Sequence, residues 1–447
     1  MLATISLATV SIAMLVAGIY HIYLTSVQQG YGHLYRGGGQ GGSLSIVTPI
    51  KDEPLEVVEK YLELFSRLIG SVRGFVECII VADYTDDTLF NSILQRLSTA
   101  HQGILLVRRL NGAGGRNGAI NTGIGLALGD LVALIDIDAE PLENGLESMA
   151  RCSEVCISWW RVCDKGVSRI SRTVAFITEY GSWLYYWLKS CRGLFLYPLG
   201  SGTVLRRELL TSIGGLREDV IQDDIWLGTQ LIYRGIKPVI IEPLCVGAPK
   251  TLESFLIQQR RWVYGAIDVL KRFGVYILKA PVAIGIRIEA LIYITQPLIA
   301  SLGGLGLVLS VASAFTETEG VSTIHIVLIA LLTASMALES IAVNRFLKWS
   351  RDPHYDVPYI VGRASALSLI LSIATLPYAL AAVVGVRIPY RVTPKGEPHR
   401  RVPLTIKVIA LVFTASLIAS IVRGNGVAAI VVSMAVASSI YALIRLR

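Results

Sequence analysis

An α/β domain with a mainly parallel sheet, framed by membrane-spanning helices, is the fold class this sequence predicts. Three observations lead there. Of 447 residues, 53% are hydrophobic and only 17% charged, whereas soluble globular chains carry nearer a quarter charged. Apolar runs long enough to cross a bilayer lie at both ends of the chain. Between them, short β-rich runs alternate with amphipathic stretches, the rhythm of strand–helix units.

Residues 2–27 contain no Lys, Arg, Asp or Glu. At about 1.5 Å per residue they can span a hydrocarbon core of roughly 30 Å. No basic segment precedes them and no small-residue cleavage site follows, so residues 1–27 are expected to be a retained anchor rather than a signal peptide. Residues 28–43, with "RGGGQGG" from Arg36 to Gly42, read as a flexible linker. Within residues 44–250, "LSIVTPI", "CIIVAD", "ILLVRRL", "LVALIDID" and "PVIIEP" read as strands, and "LEVVEKYLELFSRLIGS" reads as a helix between two of them. Ligands of such sheets sit at the carboxyl ends of the strands, where Asp83, Asp136 and Asp138 fall.

Residues 251–280, including the amphipathic Phe255 to Phe273, are expected to lie at a membrane interface. The remainder, 281–447, suggests spans at about 286–313, 322–346, 404–422 and 426–445. The loop "TETEGVS" carries acid but no Lys or Arg and fits the outside, whereas "RFLKWSRDPHY", "VRIPYRVTPKGEPHRRVP" and the terminal "RLR" fit the cytosol. Residues 358–386 are apolar, yet they join two basic segments, so an interfacial or re-entrant helix is expected there. Five spans follow, with the N terminus outside and the C terminus inside.

The net charge of +8 belongs to these membrane-proximal loops. No basic, aromatic-interleaved single-strand motif accompanies it, which excludes nucleic acid as a partner. The six cysteines (Cys78, Cys152, Cys156, Cys163, Cys191 and Cys245) lack the CxxC pairs of a structural zinc site. They read as buried thiols in a reducing, cytosolic domain, with Cys152 and Cys156 able to share a helix face.

Four stretches carry the chemistry. "LIDIDAEP" ends a strand with Asp136 and Asp138; two carboxylates at i and i+2 converge where a strand stops and offer hard oxygens to Mg²⁺ or Mn²⁺. "NGAGGRNGAINTG" brings glycines, which let a backbone approach a phosphate, beside the cationic Arg116. "VADYTDDT" sets Asp83 at a strand end, to accept the imino N–H of a uracil or to cap the next turn. "DVIQDDIWLG" places Asp223 and Asp224 before an apolar run; a helix N-cap accounts for one of them, and general-base work would need the other near a hydroxyl.

In their order and spacing these pieces resemble the membrane-embedded inverting glycosyltransferases of family 2, the group of the cellulose, chitin and hyaluronan synthases. The resemblance covers about Leu44 to Gly396. It implies a GT-A-like, Rossmann-type nucleotide-sugar-binding domain inserted between transmembrane helices. "SIVTPIKDE" looks like the opening nucleotide-binding strand, and Asp83 occupies the place of the base-binding Asp, with Ala82 and Tyr84 around it. "GGRNGAINTG" resembles the GKAGALN loop, with Arg116 where Lys is usual. Asp136 and Asp138 match the DxD, which implies ribose or diphosphate contact for the first and metal binding for the pair. "LGSGTVLRRELLTSIGG" resembles the acceptor-side segment, which would set Gly200, Ser201 and Gly202 beside the acceptor.

"QDDIWLG" resembles TEDxxLG, carrying the catalytic base onto Asp224, with Asp223 in place of Glu on the acceptor side. Gln258, Arg261 and Trp262 fit QxxRW. On a helix these three share a face, with Trp262 suited to stack on an acceptor sugar and Arg261 to face a diphosphate. "YRVTPKG" resembles a gating loop (387–403 here), implying nucleotide contacts from Thr393 and Lys395. The function implied is transfer of a sugar from a nucleotide sugar, UDP-linked by family expectation, to an acceptor hydroxyl. Repetition into a secreted polysaccharide is expected, with single transfer to a polyprenyl phosphate or glycolipid as the alternative. A non-catalytic scaffold or transporter is the remaining rival. The implied setting is a multi-pass plasma-membrane protein with its catalytic domain in the cytosol, contacting lipid and a growing glycan or lipid acceptor.

Overall fold

A computed structural model describes residues 1–27, 34–35, 42–70, 72, 74–98, 103–142, 144–166, 168–353, 355, 357–389 and 402–446. The chain opens on helix α1 (Leu2–Thr25). The domain that follows contains strands β1 (Leu44–Ile50), β2 (Val76–Ala82), β3 (Ile104–Arg108), β4 (Leu131–Leu134), β5 (Ala139–Pro141), β6 (Val155–Arg161), β7 (Thr203–Arg206) and β8 (Val239–Val246). Its helices are α2 (Leu55–Ile69), α3 (Asp87–Ser98), α4 (Gly115–Leu126), α5 (Gly145–Ala150), α6 (Arg169–Ser182), α7 (Lys189–Cys191), α8 (Arg207–Ser212) and α9 (Asp223–Tyr233), with a π-helical turn at Trp183–Leu188 between α6 and α7. Then come α10 (Leu252–Leu278), α11 (Ile284–Thr316), α12 (Thr323–Ser350), α13 (Val357–Val384), α14 (Leu404–Val422) and α15 (Gly426–Arg445).

Among the described residues the sheet runs β3-β2-β1-β4-β7-β6-β8-β5. β1, β2, β3 and β4 pair in parallel, as do β6 and β8, but β7 runs antiparallel to both β4 and β6, and β5 antiparallel to β8. The sheet is therefore mixed rather than mainly parallel. The reversal is set at Gly202, whose N–H donates to the Leu134 carbonyl and starts β7 back along β4.

Strand alternation builds the two faces. Val47, Ile79 and Val81 turn to α4, meeting Ala119, Ile120 and Ile124. Ile46, Cys78 and Ile80 turn the other way, to α2. There Val58, Tyr61, Leu62 and Phe65 recur at the spacing of one helix face, and all four are buried. Because β1, β2 and β4 are parallel, their carboxyl ends open on one edge, and Asp83 and Asp136 follow β2 and β4 directly.

The cysteine expectation is corrected. Cys152 and Cys156 are disulfide-bonded, as are Cys163 and Cys245, leaving Cys78 and Cys191 as free thiols. Cys152 follows α5 and Cys156 lies in β6, so the two share no helix. Thiol content therefore gives no argument for a reducing compartment.

Among the described residues, α1 and α11 to α15 are long and apolar enough to cross a membrane, by length and composition. They gather into a bundle with a polar knot at the end far from the sheet. There the Met1 amine meets Glu317 and Glu319, and Asn425 donates to the Ser313 and Glu317 carbonyls. At the domain end, Tyr20 of α1 donates to Glu289 of α11 at 2.5 Å, and Glu289 pairs with the fully buried Lys189 of α7 at 2.9 Å. Beside this triad Trp159, Trp183, Trp187, Phe346 and Trp349 form one aromatic cluster joining β6, the π-turn and α12.

Both ends of α13 reach the domain side. Ile360 enters the aromatic cluster, and the Val383 carbonyl accepts a hydrogen bond from Lys271 of α10. Midway, α13 presses on α11, where a Cβ on Gly304 would stand 2.1 Å from the Ser372 carbonyl oxygen. Gly304→Ala is thus expected to push the helices apart, at a cost of roughly 1–3 kcal/mol for such overpacking. Thermal melting in detergent checks this, and an unchanged midpoint would mean that the two helices do not meet there.

Candidate active site

One guanidinium organises the strand-end edge. Arg116 stands in the first turn of α4, and its Nη1 donates to Asp223 at 2.8 Å. Its Nη2 donates to Asp136 at 2.9 Å and to the Gly200 carbonyl at 2.6 Å. Three places far apart in sequence are thereby drawn together: the end of β4, the start of α9 and the segment entering β7. The side chains of Asn117 and Asn121 fix α4 by donating to the carbonyls of Arg217, Val220 and Leu216. An arginine at a helix N-terminus offers an anion both a full charge and the helix dipole.

Asp223 and Asp224 both lie in the first turn of α9, and the N-cap residue is Gln222, which makes no side-chain cap bond. Neither aspartate is therefore an N-cap. Asp224 instead accepts from the Ile225 N–H at 2.8 Å, and its Oδ2 faces Gly200, where an added Cβ would lie 3.7 Å away. Burial pushes its carboxyl up to about 7, and the neighbouring Asp223 charge adds to the rise. The Ile225 N–H, Arg116 and the Gly200 N–H pull in the opposite direction and do not overcome it. A carboxylate titrating near neutrality suits proton abstraction.

Ser201 and Gly202 frame the same cleft. Ser201 Oγ accepts from the Asp136 N–H at 3.0 Å. Gly202 has φ 99°, and a Cβ there would lie 2.6 Å from the Ser158 carbonyl oxygen, so both its conformation and its surroundings demand glycine. Asp138 projects at the exposed lip, with Gly247 beside it. Asp136 and Asp138 could hold a divalent cation, since they are hard-oxygen donors at a strand end with room for further ligands. Among the described residues no cluster of three or more His, Cys, Asp or Glu supplies a complete cage, so an ion here would take oxygens from a ligand.

Asp83 lies to one side. It neither caps a turn nor stands free: Arg109 grips it with Nε at 2.7 Å and Nη2 at 2.9 Å, and Nη2 also reaches the Gly115 carbonyl. Arg109 thus latches the glycine loop to the end of β2. Sequence reasoning passed over this residue, although its position just after strand "ILLVR" marks it by the same rule that marks Asp83.

On α10, Gln258, Arg261 and Trp262 are half-buried. The Trp262 ring lies 6.2 Å from that of Trp160, whose Nε1 donates to the Ser201 carbonyl at 2.8 Å. One turn further, Gly265 abuts Gln222, so α10 closes over the start of α9. Trp160 was also missed, because β6 was not read as a strand. Thr393 and Lys395 lie outside the described residues. A separate cavity of about 260 Å³, lined by Tyr35, Asp130, Arg151 and Arg206, sits at the opposite ends of β1 and β4, away from every residue above.

Comparisons with known proteins agree with this architecture. Residues 132–386 match the family described as Glycosyl transferase family group 2, and residues 45–208 match Glycosyl transferase family 2. A probable glycosyltransferase of Sulfolobus acidocaldarius is 32% identical over 262 residues, 57% of this chain and 56% of that protein. A UDP-forming cellulose synthase catalytic subunit of Xanthomonas axonopodis pv. citri is 23% identical over 240 residues, 51% of this chain and 32% of that protein. The chain thus matches about half the length of the first relative and a third of the second. Mannosyltransferase PcManGT of Pyrobaculum calidifontis, solved with GDP-Man and Mn²⁺, superposes with TM-score 0.53 at 16% identity over 86% of this chain and 99% of that one. That likeness shows the fold, a GT-A-like domain with apolar helices flanking it.

Asp83 and Arg109 are nearly inaccessible, with 9% and 10% of their side-chain surfaces exposed. Arg109→Gln should therefore destabilise the protein by about 3 kcal/mol, the scale of stranding one charge of a buried pair. The double variant with Asp83→Asn should lose less than the sum of the two single changes. Denaturation of the four proteins tests the latch, and simple additivity would refute it.

Proposed function

The chain belongs to glycosyl transferase family group 2, and from that membership and the site's geometry we propose an inverting transfer of a sugar from a nucleotide sugar to an acceptor hydroxyl. The observation that carries this reading is Asp224: a carboxyl near neutrality, at the start of α9 and facing Gly200, within the cleft that Arg116 assembles. Asp224 takes the proton of the acceptor O–H as that oxygen attacks the anomeric carbon. The bond from that carbon to the diphosphate oxygen breaks, and the nucleoside diphosphate leaves on the opposite face. Arg116 and the N-terminus of α4 offset negative charge on that side. Asp138 with Asp136 would hold Mg²⁺ or Mn²⁺, which when bound supplies Lewis-acid neutralisation of the diphosphate.

UDP is the proposed donor nucleotide, with Asp83 at its base, ribose or diphosphate contact from Asp136, and Gln258, Arg261, Thr393 and Lys395 on the diphosphate side. Gly200, Ser201, Gly202, Asp223 and Trp262 border the acceptor. Likeness to a cellulose synthase subunit supports repeated transfer into a polymer. The second reading, one sugar added to a lipid-borne acceptor, is favoured by close packing in the bundle, where Gly304 meets Ser372 and Gly306 meets Ser6. Product sizing separates the two readings, a ladder supporting the first and a single addition the second. The loop charges support a plasma-membrane protein with its domain in the cytosol. The two domain-side ends of α13 support an interfacial setting for that helix, and with it five crossings.

Asp224→Asn should lower the transfer rate by about 10²–10⁴-fold while nucleotide binding persists. Near-wild-type transfer by a folded, nucleotide-binding variant would sink the assignment. Since protonation removes the base, kcat/KM should fall as pH drops through about 7 and level off above it. The same shift has a stability consequence. A carboxyl whose folded pKa is raised is penalised once ionised, so Asp224→Asn should gain melting temperature over the parent above pH 7 and lose that advantage towards pH 4.

A further inference from the structure

Trp160 has no place in the reading above, yet its setting gives it one. A bulge interrupts the β6–β8 ladder between Ser158 and Trp160, and bulges re-aim side chains near sites. Trp159 goes into the aromatic cluster against Trp187 and Trp349. Trp160 turns instead to Trp262, the two rings 35° apart and both half-buried. The consecutive residues Gly200 and Ser201 tie this pair to the base, because a Cβ on Gly200 would lie 3.7 Å from Asp224 Oδ2 while the Ser201 carbonyl accepts from Trp160 Nε1 at 2.8 Å. Neighbouring Cα atoms are about 3.8 Å apart, so a ring resting on the indoles has its edge within reach of Asp224.

We propose that Trp160 and Trp262 together form a two-indole platform for the acceptor, and that the acceptor presents a pyranose ring rather than a bare phosphate. The inference rests on the transferase reading. Apolar indole faces suit the C–H face of a sugar, whereas a phosphate nucleophile would call for cations on that wall. Of the cations beside these residues, Arg161 pairs with Glu179 at 3.2 Å, Arg116 faces the carboxylates and the Gly200 carbonyl, and Arg261 is the one the reading above gives to the donor diphosphate.

The test uses the full-length protein in detergent with its nucleotide-sugar donor. Methyl glycopyranosides of the gluco, galacto and manno series serve as ring acceptors, and farnesyl phosphate as the phosphate acceptor. The platform predicts transfer to at least one glycopyranoside. Trp160→Ala should raise that acceptor's KM roughly tenfold, the scale of one stacking contact, while the donor's KM moves far less. Trp160→Phe, which keeps a ring, should recover most of the loss. Preferential transfer to farnesyl phosphate would overturn the proposal, as would an acceptor KM that ignores Trp160→Ala. Equal rises in donor and acceptor KM would also overturn it, since they would reduce Trp160 to a prop for Ser201. If wild-type protein releases nucleotide from no nucleotide sugar, the transferase reading falls and takes the platform with it; release with the wrong acceptor response defeats the platform alone.

Discussion

The fork of Arg116 is the contact on which the rest of the site depends. It joins residues 20, 84 and 107 positions away in sequence, at the end of β4, before β7 and at the start of α9. Without it Asp136, Asp223 and Asp224 would crowd one cleft with their charges unbalanced, and the low local dielectric would magnify the repulsion. With it, the edge that follows the parallel strands and the edge that enters β7 keep a fixed separation. A lysine could offset the charge, but its single ammonium lacks the planar geometry that serves separated acceptors at once. The departure from the family's lysine therefore has a structural account here.

The domain is joined to its membrane helices by contacts that are costly to bury. Lys189 and Glu289 are almost wholly enclosed, with Tyr20 completing the triad and the Lys189 ammonium 4.3 Å from the Tyr293 ring centroid. Such pairs add little net stability over a hydrophobic equivalent. Their effect here is positional, since Tyr20 of α1 reaches Glu289 of α11 only in the register the two helices keep. The tryptophan cluster supplies the apolar adhesion beside it. The start of α9 is thereby held at a set distance from the bundle through α10, whose Gly265 leans on Gln222.

Much of this was legible in the chain. Short β-rich runs marked β1 to β4 and β8, and the strand-end rule found Asp83 and Asp136, because parallel strands deliver their carboxyl ends to one edge whatever the loops do. Other features depend on long-range geometry that no local pattern encodes. β7 has four residues and takes its direction from Gly202, so the antiparallel return beside β4 was invisible. Arg109 and Trp160 gain their roles from partners distant in sequence, Asp83 for the first and Ser201 and Trp262 for the second. The cysteine pairings likewise follow from which strands adjoin: Cys163 and Cys245 lie 82 residues apart, and the β6–β8 ladder brings them together.

The contacts of α1 also bear on the order of assembly. Ser6 bonds the Gly306 carbonyl, 300 residues on, and Ser11 bonds that of Leu328, 317 residues on. Translation delivers α1 first and its partners only after the entire sheet domain. The helix must therefore wait in the bilayer with polar groups facing lipid. Ser11 shows how the wait is tolerated, because its hydroxyl also reaches the Leu7 carbonyl one turn back at 2.8 Å. Thr9 and Thr25 make similar local bonds to Ile5 and Ile22. A first helix provisioned in this way can linger unpaired, and the late arrival of α11 and α12 completes the fold like a key turned after the door is hung.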